Sequence, residues 1–316
     1  MTQRVISVTV PATTANLGCA FDCAAIAVSL RLRVSATVED VGAPPVGSTG
    51  GDFDVSYRGP SAESIPLDST NLIVKSMRHY ASRAGKTLPA ARLDIQNEIP
   101  LGVGLGSSAA AIVAGIVLGA ELCGAHLDAD GILRLALEIE SHPDNLAAAV
   151  HGGMVVSAVA ESTKDVLVLK TDVSQELDFV CVVPDIPLPT EEARAVLPAQ
   201  YSRQDVVANL QRTALLAAAF FSGPTSSGKN LSPEMFRDRI HQPYRAPLIP
   251  GIDYCLDYRH EGLAGIFLSG AGSAVMAIAK HSPQHIADAL VAQFRRAGTT
   301  ARALLLKADN RGVQIG

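Results

Sequence analysis

Residues 100 to 115 read Pro-Leu-Gly-Val-Gly-Leu-Gly-Ser-Ser-Ala-Ala-Ala-Ile-Val-Ala-Gly, and they restrict the fold more tightly than any other stretch. Gly102, Gly104 and Gly106 alternate. A backbone built this way can turn tightly and bring its N–H groups against a ligand with no side chain between. Ser107 and Ser108 stand where a helix would begin, ahead of small apolar residues to Cys123 that suit a fully buried helix. Free N–H groups and the positive end of the helix dipole make such a start an anion site, with a nucleotide polyphosphate as the obvious guest. A hydroxyl there can also ligate magnesium. The spacing is not the dinucleotide G-x-G-x-x-G, whose third glycine would fall at Ser107. Nor is it a Walker loop, because no lysine follows Gly106.

Composition narrows the setting. With 316 residues, 48% hydrophobic and 18% charged, the chain can form two domains that need no disulfides. A net charge of −5 gives no electrostatic case for nucleic acid or an anionic membrane. Of five cysteines only Cys19 and Cys23 are close, which completes no zinc site and points to thiols in a reducing cytoplasm. The opening residues alternate like a strand and lack a signal peptide's apolar core. The longest apolar run, Ala109 to Ala120, is too short to cross a bilayer.

Alternation predicts strands over residues 4–10, ended by Pro11, and over 30–38. A Gly/Pro/Ser-rich loop (41–51), a strand (52–57), a helix (71–85) and a strand (92–95) lead to the glycine loop. After the buried helix of 108–123, Asp130 is expected to cap a helix reaching Glu140, which Ser141 to Asn145 breaks. A short alanine helix and strands ending near Ala160 and Lys170 follow, with a domain boundary near residue 170. The second half reads as strand (179–183), helices (190–197, 203–221), strands (265–268, 274–279), helix (286–296) and strand (301–307). That order suits an α+β sandwich. Gly223 to Asn230 has Walker spacing, but Asn230 stands where Ser or Thr is needed and a helix precedes it. It reads as a helix-ending loop.

The glycine stretch, in its form Pro-x-Gly-x-Gly-Leu-Gly-Ser-Ser-Ala, resembles the phosphate loop of the GHMP small-molecule kinases. Pro11-Ala-Thr-Thr-Ala-Asn-Leu-Gly-Cys-Ala-Phe-Asp22 is similar to the first motif of the homoserine kinases in that superfamily, with Thr14, Cys19 and Ala20 as departures. Glu140 to Asn145 and Leu268 to Val275 resemble two further superfamily motifs. Pro189 to Pro198 and His241 to Gly251 resemble stretches more particular to homoserine kinases. The resemblance implies an α+β, two-domain GHMP kinase fold. Residues 1–170 would form an ATP-binding domain of the ribosomal protein S5 domain 2 type, and 171–316 a ferredoxin-like C-terminal domain. It implies magnesium-ATP-dependent phosphorylation of the L-homoserine hydroxyl to O-phospho-L-homoserine, a step of threonine biosynthesis. Another GHMP small-alcohol kinase, such as a threonine kinase, or a ligand sensor without turnover are the alternatives.

For ATP, the resemblance points to Pro100, Leu101, Gly102, Val103, Gly104, Leu105, Gly106, Ser107, Ser108, Ala109 and Ala110. For magnesium it points to Ser108 and Glu140, with Glu138 as competitor. A zwitterionic amino acid needs a carboxylate for its ammonium and guanidinium for its carboxylate. Asp22 is the only charge in its motif, and Arg194 and Arg245 match the arginines of homoserine kinases. Asn16, His142, Asn145, Thr190, Gly270 and Gly272 match other pocket positions. Phosphoryl transfer depends mostly on positioning and charge neutralisation. The resemblance gives that role to Ser108 and Glu140, and Asp144 is a catalytic candidate that matches the base of several relatives, although homoserine kinases are not expected to rely on a strong base. L-Threonine, a close analogue of homoserine, is expected to compete with it. The oligomeric state stays open, a homodimer included.

Overall fold

The computed structural model describes residues 3–39, 53–163, 165–222 and 230–316. The loop expected at 41–51 and Gly223 to Lys229 of the Walker-like stretch lie outside the described residues. In β1 (Gln3–Ala15), Ile6, Val8, Val10 and Ala12 are buried while Val5 faces solvent, as a half-buried strand requires. Pro11 does not end this strand. The register with β2 (Ala24–Glu39) shifts between Pro11 and Ala12, and a residue without an N–H fits at that irregularity. Strand β2 begins at Ala24 rather than at residue 30. Its first residues, Ala-Ala-Ile-Ala-Val, are buried on both faces and show no alternation to read.

The chain continues through β3 (Phe53–Arg58), α1 (Leu72–Ala84), β4 (Ala91–Asn97), α2 (Ser107–Leu122), α3 (Ala129–Leu137), α4 (Pro143–His151), β5 (Met154–Val159) and β6 (Val166–Thr171). Then come β7 (Asp178–Pro184), α5 (Thr190–Ala195), α6 (Arg203–Phe221), α7 (Gln242–Arg245), α8 (Ile252–Leu256), β8 (Leu263–Leu268), β9 (Val275–Ala279), α9 (Pro283–Arg296), β10 (Ala301–Leu306) and β11 (Gln314–Ile315). The first sheet runs β11-β1-β2-β4-β3, with β5 joining β2 to β6. The second runs β10-β7-β9-β8, all antiparallel. Numbered within that unit the order is 4-1-3-2, in a β-α-β-β-α-β chain of the ferredoxin-like kind. After β10 the chain returns to the first sheet, where β11 pairs with β1.

Helix α2 is apolar all round, and Ala110, Val113, Ala114, Ile116 and Leu118 are fully enclosed. It lies so close to α1 that a Cβ on Gly115 would fall 2.5 Å from the Ile73 carbonyl oxygen. The helix is therefore a rigid post for the loop in front of it. Asp128, not Asp130, caps α3 by accepting from Gly131 N at 2.8 Å. That helix ends at Leu137, which leaves Glu140 on the connection to α4. Among the described residues, no helix is long and apolar enough to cross a membrane.

Candidate active site

The glycine loop is clamped between the end of β1, through Thr13 N to Leu105 O, and the connection from β8 to β9, through Ala274 N to Val103 O. Gly104 holds φ +82, and a Cβ there would fall 2.0 Å from the Ser269 carbonyl oxygen. Ser269 Oγ donates to Gly104 O at 2.7 Å and lies 2.8 Å from Thr14 Oγ1. Ala274 N donates to Val103 O (3.0 Å), and Gly270 N to Ala15 O (3.1 Å). Gly106 caps α2 in the left-handed region with no side-chain cap. The first amide bonded within the helix is that of Ala110, to Gly106 O at 2.9 Å. Ser107, Ser108 and Ala109 ahead of it line the cleft, so the helix mouth offers its amides to an anion.

The cleft in front of this helix mouth is open and has a volume of about 140 Å³. It gathers Pro100, Gly102, Gly104, Leu105 and Gly106 with Asn16, Asp22, Glu140, His142, Asp144, Asn145, Thr190, Arg194, Arg245 and Gly270. Four expected residues are not on its walls. Val103 and Ala110 point into the hydrophobic core, and Leu101 also lies off the lining. Gly272 is tied by its N–H to Ser269 O at 2.8 Å, and its Cα faces Leu268 and Ile249. Ala271 takes its place in the lining, with Leu188 beside it.

Opposite charges converge here from distant segments. Arg194 binds Asp22 in a two-pronged pair, Nη2 to Oδ1 at 2.8 Å and Nη1 to Oδ2 at 3.1 Å. Arg194 Nε is buried and finds no partner among the described residues. Arg245 is almost wholly buried and donates to the Ala193 and Gly270 carbonyl oxygens. Burial, with the charge of Arg194 added, pulls its guanidinium down to about 10. Asn16 is used at both ends, donating to Gly270 O and accepting from Asp22 N. Thr13 Oγ1 donates to Asn145 Oδ1 at 2.7 Å, which fixes the start of α4 against β1.

Glu140 and His142 meet at 2.6 Å. That hydrogen bond holds the Glu140 carboxyl below its ordinary range and the His142 imidazole above its own. Glu138 is elsewhere, paired with His79 Nε2 (3.0 Å) and Arg83 Nε (3.1 Å). Asp144 is 2% exposed, and burial, then the charge of Asp22, pushes its carboxyl up to about 6 from an ordinary 3.8. The folded chain thus holds the extra proton between those two values, and stability falls as pH rises through that window. Asp144→Asn removes the buried charge and should stabilise the fold by roughly 2–3 kcal/mol above about pH 7. It should also flatten the slope between about pH 4 and 6. Urea denaturation at both ends of the range checks this; an unchanged slope overturns it.

Phe21 and His241 also belong to this site, although neither residue type signals a charged pocket in sequence. Arg194 and Arg245 place their guanidinium carbons 5.6 Å and 5.3 Å from the centre of the Phe21 ring. His241 stacks on that ring at 5.0 Å. Their positions inside Pro11 to Asp22 and His241 to Gly251 are the one hint the sequence offers.

The chain matches the family described as GHMP kinases N terminal domain over residues 71–153, and GHMP kinases C terminal over residues 216–296. It is 37% identical to a homoserine kinase of Desulfitobacterium hafniense, over 98% of this chain and 100% of that one. It is 38% identical to a homoserine kinase of Solibacter usitatus, over 97% and 95%. A crystal structure of homoserine kinase from Cytophaga hutchinsonii superposes with a TM-score of 0.80 at 26% identity, covering 99% of this chain and 97% of that one.

Proposed function

Because this chain belongs to the homoserine kinases of the GHMP kinase family, we propose that it transfers a phosphoryl group from ATP to the hydroxyl of L-homoserine, giving O-phospho-L-homoserine and ADP. One observation carries the reading. A carboxylate and two arginines, from three separate segments, converge in the same cleft as an uncapped helix mouth. The helix mouth suits a polyphosphate, and the charge set suits an amino acid. Residues to about 170 supply the nucleotide side, and 171–316 supply Thr190, Arg194 and Arg245 of the substrate side.

In this reading the amides of Ser107, Ser108 and Ala109 hold the phosphates, and Asp22 takes the substrate ammonium. Arg245 and Arg194, whose Nε has no partner among the described residues, take the carboxylate. Substrate binding replaces the Asp22–Arg194 pair with two new ones, so neither charge is left bare. Asp144 lines the cleft with a carboxyl poised near 6, which suits it to accept the proton that the homoserine hydroxyl loses. Ser108 and Glu140 line the same cleft and offer hard oxygen donors of the kind magnesium takes alongside phosphate oxygens. Bound there, magnesium would neutralise charge on the phosphates.

An ADP-release assay is expected to give turnover with L-homoserine and none with mevalonate, galactose or shikimate. L-Threonine, sharing the zwitterionic end, should inhibit in a way that excess homoserine relieves. Turnover only with another alcohol would overturn the substrate, and binding of both ligands without ADP would mark a sensor.

A further inference from the structure

Arg245 lies one helical turn beyond His241, and its Nη1 comes within 3.3 Å of His241 Nδ1. The imidazole is fully buried. Its Nε2 is 2.7 Å from the Gly18 carbonyl oxygen, which can only accept, so Nε2 carries the ring proton. Nδ1 is then an acceptor aimed at the guanidinium. In the other tautomer an N–H would face an N–H. The ring also stacks on Phe21, and the Arg194 and Arg245 guanidinium groups both lie over that phenyl ring.

The backbone beneath this ring is pinned just as firmly. Asp238 Oδ2 accepts from His241 N (2.8 Å) and Gln242 N (2.6 Å). Asp238 Oδ1 accepts from Ile240 N at 3.0 Å and from Asn209 Nδ2 at 2.6 Å. Asn209, on α6, also donates to Cys19 O at 3.0 Å, which ties the histidine's support to the segment carrying Phe21 and Asp22.

We propose that His241, as the neutral Nε2–H tautomer, is a positioning residue that aims the Arg245 guanidinium at the substrate carboxylate. The inference rests on Arg245 receiving that carboxylate, as the proposed function has it. Two isosteres separate the ring's two bonds. His241→Asn places an amide oxygen near the Nδ1 position and keeps the acceptor for Arg245. His241→Gln reaches the Nε2 position, keeps the donor to Gly18 and loses that acceptor.

The expected result is a homoserine KM raised about tenfold or more in His241→Gln, with the KM for ATP unchanged, because a charge-assisted hydrogen bond is lost. In His241→Asn the homoserine KM should stay within about threefold of the parent. Equal losses in both variants, or matching changes in the ATP KM, overturn the proposal. A measurement on the unaltered protein stands apart from whether either variant folds. Nitrogen-15 NMR of His241 should find Nδ1 unprotonated and Nε2 protonated, and a proton on Nδ1 overturns the proposal. Failure of the substrate reading is distinguishable, since the unaltered protein would then release no ADP with homoserine while the tautomer stayed the same.

Discussion

Arg245→Met should raise the homoserine KM by about a hundredfold or more and leave the KM for ATP close to its parent value. Methionine keeps most of the length and fills most of the space, so the loss is chiefly one of charge and hydrogen bonds. The Ala193 carbonyl oxygen and His241 Nδ1 lose the donor they face, while the Gly270 carbonyl oxygen keeps Asn16 Nδ2. Unpaired buried acceptors of this kind cost about 1–3 kcal/mol each. Relief of a desolvated cation offsets part of that, consistent with the guanidinium being pulled down to about 10. The folded protein should therefore survive while amino-acid binding does not. Steady-state kinetics with each substrate varied in turn, alongside a melting curve, separate the two effects. A homoserine KM within about twofold of the parent would remove Arg245 from the carboxylate site.

Gly104→Ala is expected to abolish measurable ATP turnover and to lower the melting temperature. At φ +82 an L residue is strained by about 1–2 kcal/mol. Steric collision costs more than that strain: the new methyl would fall 2.0 Å from the backbone oxygen of Ser269 and 2.9 Å from Gly272 N. Neither atom belongs to a flexible side chain. Relief requires the loop to part from the Ser269–Ser273 turn, which breaks the Ser269 Oγ to Gly104 O bond and withdraws the loop from the helix mouth. Gly102 provides the control. It has φ +67 but nothing within 4 Å of its missing Cβ, so Gly102→Ala carries the strain without the collision. Its melting temperature should fall much less than that of Gly104→Ala. Equal losses in the two variants would mean that backbone strain, not the close approach to Ser269, makes glycine necessary at 104.

Much of the secondary structure could be read because it obeys short periods. The helix over 203–221 falls where the spacing places it, and α2 begins one residue before its expected start. Misreadings cluster where burial on both faces erases the period, as at 24–28, or where two acids compete to cap one helix, as at Asp128 and Asp130. Pro11 misleads for a related reason: whether a proline ends a strand depends on whether the partner strand shifts beside it. In the cleft, the glycine loop and the charged residues were legible, but not which loop residues face inward. Val103 and Ala110 alternate with lining residues along the same backbone and lie in the core instead.

The sequence alone determined the requirement for glycine and the helix that follows it, because both rest on local backbone freedom or on residue type; Arg194 and Arg245 stood out only through the resemblance of their motifs. Only the tertiary structure decided that Asp22 meets Arg194 across 172 residues, that Glu140 and not Glu138 reaches the cleft, and that a buried histidine faces Arg245. Such pairings follow from which surfaces the two sheets bring together. A charged group then takes the best partner within reach, and no spacing along the chain encodes that distance.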